Sequence, residues 1–263
     1  PDALFRLASM TKPVIGVLTM VLYEEGHFAI SDPIADYLPE FAGRKVRTVN
    51  NKGEVVLADT KPITIKHLLT HTAGLPYFVQ DDEVGIGMRK TGLVGVHARL
   101  MKLNLEQYTK ELATLPLTFQ PGSEWRYSEG MCVLGRLAEV VTGQSLGEAL
   151  KQRVFDPLGM VDTGFYVKPE DAERLSTLYL IGESPLDWPS SNGGDFCVKP
   201  TLETGSSGLI GSVSDYLRMA QMLLNGGELE GVRLLSPVTV DLMISNHLGP
   251  EFGETPLDTM GAV

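Results

Sequence analysis

Basic residues are in deficit. The chain carries 22 lysines and arginines against 33 aspartates and glutamates, a formal net charge of −11. Nucleic-acid binding needs a basic face to meet phosphates, so that class is excluded, and an anionic membrane surface is an unfavourable partner. Cysteine is nearly absent: Cys132 and Cys197 are the only two. They form no Cys-x-x-Cys pair and join no Cys/His cluster, so no metal site is implied. Cys132 lies in an apolar helical stretch and reads as a buried free thiol. No apolar run approaches the ~18 residues of a membrane span. The Gly-x-Ser-x-Gly of an α/β-hydrolase is also missing. Gly205-Ser206-Ser207-Gly208 has the wrong spacing for it and reads as a turn lining a cleft. No signal peptide is visible and Pro1 is not a natural start, which leaves the compartment open between cytoplasm and export.

What is present supports a folded chain. Of 263 residues, 43% are apolar and 21% charged, enough for a sizeable core in one large domain or two modest ones. Apolar residues Val14, Val17, Leu18 and Val21 recur at helical spacing over 13–25, widened by Ile15 and Leu22, with Pro13 in the first turn and Gly26 as the stop. Helical turns are expected over 31–41 and a hairpin over 44–63, around Asn50, Asn51 and Gly53. Further helices are expected at 64–70, 104–114, 129–142, 145–154, 215–224 and 237–245, with a hairpin over 228–235. Residues 78–103 are Gly-rich and weakly patterned, so a loop or lid is expected there, shaping a substrate pocket. Residues 183–207 read as irregular. Helix dominates, and no internal repeat is present.

The chemistry starts at Ser9-Met10-Thr11-Lys12. On a helix, positions i and i+3 share a face, so Lys12 can reach the Ser9 hydroxyl. A serine hydroxyl is a poor nucleophile without a base, and a lysine serves as one when burial or a second cation weakens its hold on its proton. Phe5, Leu7, Met10 and Val14 make burial plausible. A helix start also aims the Ser9 amide at a developing oxyanion. Composition alone supplies such a tetrapeptide about once in a chain this long, so its weight comes from its neighbours. Tyr127 stands just before the 129–142 helix, where its phenol can relay a proton; a core tyrosine with a satisfied hydroxyl is the plainer alternative. His71 could be offered as a triad base. No Asp partner is indicated, and a helix-end histidine making a local structural bond is the preferred reading.

Five stretches carry a resemblance, in order: residues 4–13 around Ser9 and Lys12; His67-Leu68-Leu69-Thr70-His71-Thr72-Ala73-Gly74-Leu75; Phe119-Gln120-Pro121-Gly122 with Trp125-x-Tyr127-Ser128; Asp156-Pro157-Leu158-Gly159-Met160; and Gly205-Ser206-Ser207-Gly208-Leu209 followed by Ser214-Asp215-Tyr216. Together they resemble the serine β-lactamase-like hydrolases, and within them the family VIII carboxylesterases, relatives of class C β-lactamases and D-alanyl-D-alanine peptidases. The resemblance implies an α+β, β-lactamase/transpeptidase-like fold: an antiparallel sheet flanked by helices plus a helical region, with this chain covering mainly the helical part. It implies that Ser9 is acylated, that Lys12 activates it, and that Tyr127 shuttles the proton and helps activate water. It implies substrate contacts at Tyr77, Trp125, Ser207 and Gly208, and no cofactor or metal.

Two departures matter. Class C β-lactamases carry Tyr-x-Asn, and the third position is Glu129 here. That lowers the β-lactamase reading and leaves the esterase reading intact. Lys90-Thr91-Gly92 matches the superfamily's third motif but precedes Tyr127 and reads as a decoy in a loop. On the family pattern the true element, with the second oxyanion amide, follows Val263, and an N-terminal helix and strands precede Pro1. The expected organisation is 1–45 (nucleophile helix and start of the α/β region), 46–180 (helical region with the Tyr motif) and 181–263 (return to the α/β region). The expected activity is a serine carboxylesterase on small short-chain acyl esters. The alternatives are a β-lactamase or D-alanyl peptidase, an acyltransferase, or a binding module that keeps the fold without chemistry.

Overall fold

The computed structural model describes residues 2–78, 80–93, 102–178, 194–249 and 252. The chain opens with strand β1 (Leu4–Arg6), a tight 3-10 turn at Ala8–Met10, and helix α1 (Thr11–Glu24). Val14, Ile15, Val17, Leu18 and Leu22 of α1 are all buried, so the widened apolar stripe produces a central helix and not a surface one. It starts two residues earlier than its apolar pattern indicates. Lys12 therefore lies inside the helix and Ser9 in the turn that leads into it.

Strands β2 (Lys45–Val49) and β3 (Val55–Asp59) form the expected hairpin, whose turn is closed by the Asn50 side chain accepting from the Lys52 and Glu54 amides. Helix α2 (Ile65–Leu69) starts on a reciprocal cap: Thr64 Oγ1 accepts from the His67 amide and His67 Nδ1 from the Thr64 amide. Helix α3 (Glu83–Thr91) corrects the expectation of a loop across 78–103. Asp82 caps it, Gly92 ends it at φ +78°, and Val84 and Met88 face the core. Its Gly85 permits a close approach, since a Cβ there would stand 2.3 Å from the Gln80 carbonyl oxygen. Glycines that allow such contact also dilute the apolar period in the sequence. Lys90-Thr91-Gly92 consequently ends a helix, with Thr91 donating to the Met88 carbonyl, instead of lying in a loop. Residues 94–101 of the supposed lid fall outside the described residues.

Helices α4 (Leu105–Leu112), α5 (Gly130–Thr142) and α6 (Leu146–Leu150) follow, each where its stripe indicates. Beyond α6 the chain stays helical through a π-turn at Lys151–Phe155 into α7 (Asp156–Leu158), past the expected end at 154. Pro157 offers no N–H to continue the ladder, and the register widens before it. Residues 179–193, most of the segment expected to be irregular, lie outside the described residues. Strand β4 (Ile210–Ser212) pairs antiparallel with β1, Leu4 opposite Ser212 and Arg6 opposite Ile210. Helix α8 (Val213–Leu224), the small hairpin β5 (Glu228–Leu229) and β6 (Val232–Arg233), and helix α9 (Pro237–Ile244) complete the fold.

Helix α5 is the hub, packing against α1, α2, α4 and α6. One buried apolar cluster extends from Leu7 through these helices to Val240. The described strands form three two-stranded sheets, so helices dominate as the sequence indicates. Among the described residues no helix is long and apolar enough to cross a membrane.

Candidate active site

Ser9 sits exposed on the 3-10 turn between β1 and α1. The residue before it, Ala8, has φ +45°, a left-handed conformation that is strained for alanine. The surrounding chain holds this turn in place. The Leu7 amide donates to the Leu209 carbonyl at 2.9 Å, and the Leu209 amide donates to Thr11 Oγ1 at 3.1 Å. The β1–β4 pairing thus delivers residues 206–209 to the start of α1.

Lys12 lies one helical turn on and is only 6% exposed. Its Nζ donates to Ser9 Oγ at 3.3 Å and to the Ser206 carbonyl at 2.8 Å. It also stands over the Tyr127 ring, 4.5 Å from the centroid. The structure therefore gathers Ser9, Lys12 and Tyr127 into one constellation, and the Tyr127 contact to Lys12 runs through the ring face.

Tyr127 is held by aromatic neighbours. His71 stacks on it at 4.9 Å with a 23° interplanar angle, and Tyr77 meets it edge-on at 5.2 Å. Trp125 meets His71 edge-on at 6.0 Å. Tyr77 and Trp125 are thus beside the constellation. Burial and the charge of Glu129 push the Tyr77 phenol well above its ordinary range. Ser207 and Gly208 lie on the adjoining stretch, where Ser206 is the residue that contacts Lys12. Gly208 has a structural role of its own, because a Cβ there would stand 2.8 Å from the Phe165 ring.

His71 differs from its reading as a locally bonded helix-end residue. It follows α2 at φ +57°, and its carbonyl accepts from the Arg126 amide at 2.9 Å, which ties the His71 turn to the Tyr127 segment. Its Nδ1 is buried and has no hydrogen-bond partner among the described residues. Burial, reinforced by the charge of Lys12, lowers its pKa to about 4. His67 stands four residues before His71, a spacing that on a continuous helix puts two imidazoles on one face. Here α2 ends at Leu69, His67 is engaged in its cap, and His71 faces Tyr127. Among the described residues no group of three or more potential metal ligands is present.

Behind Lys12 lies a buried polar cluster that the sequence did not signal. Glu129, the N-cap residue of α5, is 1% exposed. Its Oε2 accepts from Ser206 Oγ at 2.6 Å and from Cys132 Sγ at 3.2 Å. Cys132 also reaches Thr204 Oγ1 and Ser206 Oγ, and burial beside Glu129 pushes its thiol up to about 12. On the other side of Lys12 is a mainly apolar cavity of about 510 Å³, lined by Lys12, Met20, His71, Trp125, Leu223 and Leu242 among others. Its walls come from α1, α2, α5, α8 and α9 and from adjoining loops, and no described residue of 78–103 lines it.

This fold is of the β-lactamase/transpeptidase-like class. The chain belongs to the Beta-lactamase family, whose sequence model matches residues 1–259. It is similar to Protein Rv1367c of Mycobacterium tuberculosis strain H37Rv, 36% identical over 256 residues, covering 95% of this chain and 61% of that protein. It is similar to Esterase EstB of Burkholderia gladioli, 34% identical over 242 residues, covering 84% of this chain and 57% of that one. Among solved structures it resembles EstCE1, described as a hydrolase with promiscuous acyltransferase activity, at a TM-score of 0.73 and 28% identity, covering 95% of this chain and 66% of that one. The chain thus spans about three-fifths of the curated relatives it matches.

Proposed function

We propose that the protein is a serine carboxylesterase that forms an acyl-enzyme on Ser9 and acts on small acyl esters. The observation that carries this is the pair of hydrogen bonds from the buried Lys12 Nζ, to Ser9 Oγ and to the Ser206 carbonyl. They hold a potential base against the candidate nucleophile in one orientation. Ser9 Oγ bonds to the ester carbon while Lys12 takes up the hydroxyl proton. As the tetrahedral species collapses, Tyr127 relays a proton to the departing alcohol oxygen. Water then attacks the acyl carbon, its proton is taken by the same pair, and Ser9 leaves with its hydroxyl restored. The Ser9 amide at the helix start is the candidate oxyanion donor within this chain. Tyr77 and Trp125, beside the Tyr127–His71 stack, are the candidate acyl-group contacts, with Ser207 and Gly208 as further candidates.

The esterase reading is favoured over a β-lactamase by Glu129. A carboxylate offers acceptors only, and this one is turned into the buried cluster, so it does not supply an amide side chain to a lactam. Acyl transfer to an alcohol in place of water is the second reading, supported by the activity described for EstCE1. Treating the intact protein with a fluorophosphonate and locating the adduct by mass spectrometry tests the proposal: the adduct is expected on Ser9 and absent from Ser9→Ala. Folded protein that stays unlabelled overturns it and favours a non-catalytic module. Turnover of p-nitrophenyl butyrate is expected to exceed that of a chromogenic cephalosporin, and Tyr127→Phe is expected to cost about 100-fold or more in kcat.

A further inference from the structure

We infer that Glu129 and Ser206 form a buried clasp that sets the position of Lys12, which makes both of them positioning residues for the acylation step. The inference rests on the Ser9/Lys12 reading above and goes beyond it. The chain of contacts is continuous. Glu129 Oε2 accepts from Ser206 Oγ at 2.6 Å, and the carbonyl of the same Ser206 accepts from Lys12 Nζ at 2.8 Å, which in turn reaches Ser9 Oγ at 3.3 Å. One residue therefore receives the pull of a carboxylate on its side chain and presents its backbone carbonyl to Lys12 Nζ. Three features give the clasp rigidity. Glu129 is 1% and Ser206 2% exposed, so water does not compete for either bond. The hydrogen bond to a carboxylate is of the strong, charge-assisted kind. The Ser206 amide is tied to Thr204 Oγ1 at 3.3 Å, and Gly205 abuts the Met131 carbonyl so closely that a Cβ would stand 2.3 Å from it.

The cluster carries a cost that a purely structural role does not explain. Glu129 and the fully buried Tyr108 phenol face each other, and burial with the charge and hydrogen bond of Glu129 raises the pKa of that phenol. Burying a carboxylate costs free energy that its hydrogen bonds only offset. A buried carboxylate kept in this position is accounted for by what it holds. The titratable groups facing the clasp are Tyr77, Tyr108 and Cys132, all shifted away from ionisation. Those facing Lys12 are Tyr127 and His71.

The test uses the intact protein and four variants: Ser206→Ala, Glu129→Leu, Glu129→Gln and the double Ser206→Ala/Glu129→Leu. Wild type is first shown to take the fluorophosphonate on Ser9; if it does not, the functional reading fails and the clasp is not what failed. With labelling established, Ser206→Ala and Glu129→Leu are each expected to lower kcat and the labelling rate by about tenfold to 100-fold, a misplacement effect, with KM within about twofold. Both are expected to move the pH–rate profile, which a loss of packing alone would not do. The double variant is expected to be no worse than the poorer single, because the two act through one chain of contacts. Glu129→Gln keeps an acceptor for the Ser206 hydroxyl and is expected to recover most of the rate. Wild-type kcat and pH profile in Ser206→Ala, or fully additive losses in the double variant, overturn the inference. If Glu129→Leu does not fold, the near-isosteric Ser206→Ala and Glu129→Gln decide by the same criteria.

Discussion

His71 shows how one side chain can serve a site without touching the reacting atoms. Its ring lies flat against Tyr127, its carbonyl holds Arg126, and its own pKa falls to about 4 because it is buried near Lys12. A histidine kept neutral in the folded state and free to protonate at its ordinary value of 6.5 when unfolded makes stability depend on pH. The unfolded chain binds the extra proton below 6.5, so the contribution is complete above that pH. It falls as pH drops toward about 4 and then levels off. The full swing is up to about 3 kcal/mol. Urea midpoints measured from pH 7 to pH 4 are expected to fall across that window. His71→Phe, which keeps a ring against Tyr127, is expected to remove most of this slope while leaving the neutral-pH midpoint nearly unchanged. A variant that melts with the wild-type pH dependence would assign the slope to other groups. Nothing local in His71-Thr72-Ala73-Gly74 announces the stack, because its partner is 56 positions away. The positive φ is the one trace, in a turn that needs Gly74 beside Phe119.

At the scale of elements, what could be read from the sequence follows whether the determinant is local. The stripes of α1, α4, α5 and α8 each place their apolar residues at helical spacing, and each forms where expected. Ser9 and Lys12 were legible for the same reason, since three residues on a helix start fix their proximity. Helix α3 was hidden by Gly85, which serves a tertiary contact with Gln80. Ser206 was hidden because either serine of Gly205-Ser206-Ser207-Gly208 suits a turn, and which one turns inward depends on Glu129, 77 residues away. Two glycines make the distinction measurable. Gly16 lies inside α1 with nothing within 4 Å of an added Cβ, so Gly16→Ala is expected to raise stability by about 0.5–1 kcal/mol through helix propensity. Gly205→Ala must push the turn off the first residues of α5, at about 1–3 kcal/mol, and carries the Ser206 carbonyl away from Lys12. A chemical melt and an ester assay on both variants check this: the first gains stability with its rate retained, the second loses both.

For the whole molecule the question is whether 1–45, 46–180 and 181–263 behave as separate parts. The site is assembled from all three: Ser9 and Lys12 from the first, His71, Tyr127 and Glu129 from the second, Ser206 from the third. The apolar cluster crosses the same boundaries, with Leu18 of α1, Leu137 of α5 and Met222 of α8 all within it. The strand pairing of residues 4–6 with 210–212 closes the chain across some two hundred positions. A site shared in this way keeps its geometry only while every part stays docked, so we propose that the three segments are architectural divisions of one cooperative unit. Leu18 is fully buried, and Leu18→Ala is expected to cost about 2–5 kcal/mol. If the unit is cooperative, that loss appears as one shifted transition, and amide-exchange protection falls in α5 and α8 as far as in α1. Retained protection in α5 with loss confined to α1 would instead mark 46–180 as a unit that stands by itself, leaving Ser9 and Lys12 to dock onto it.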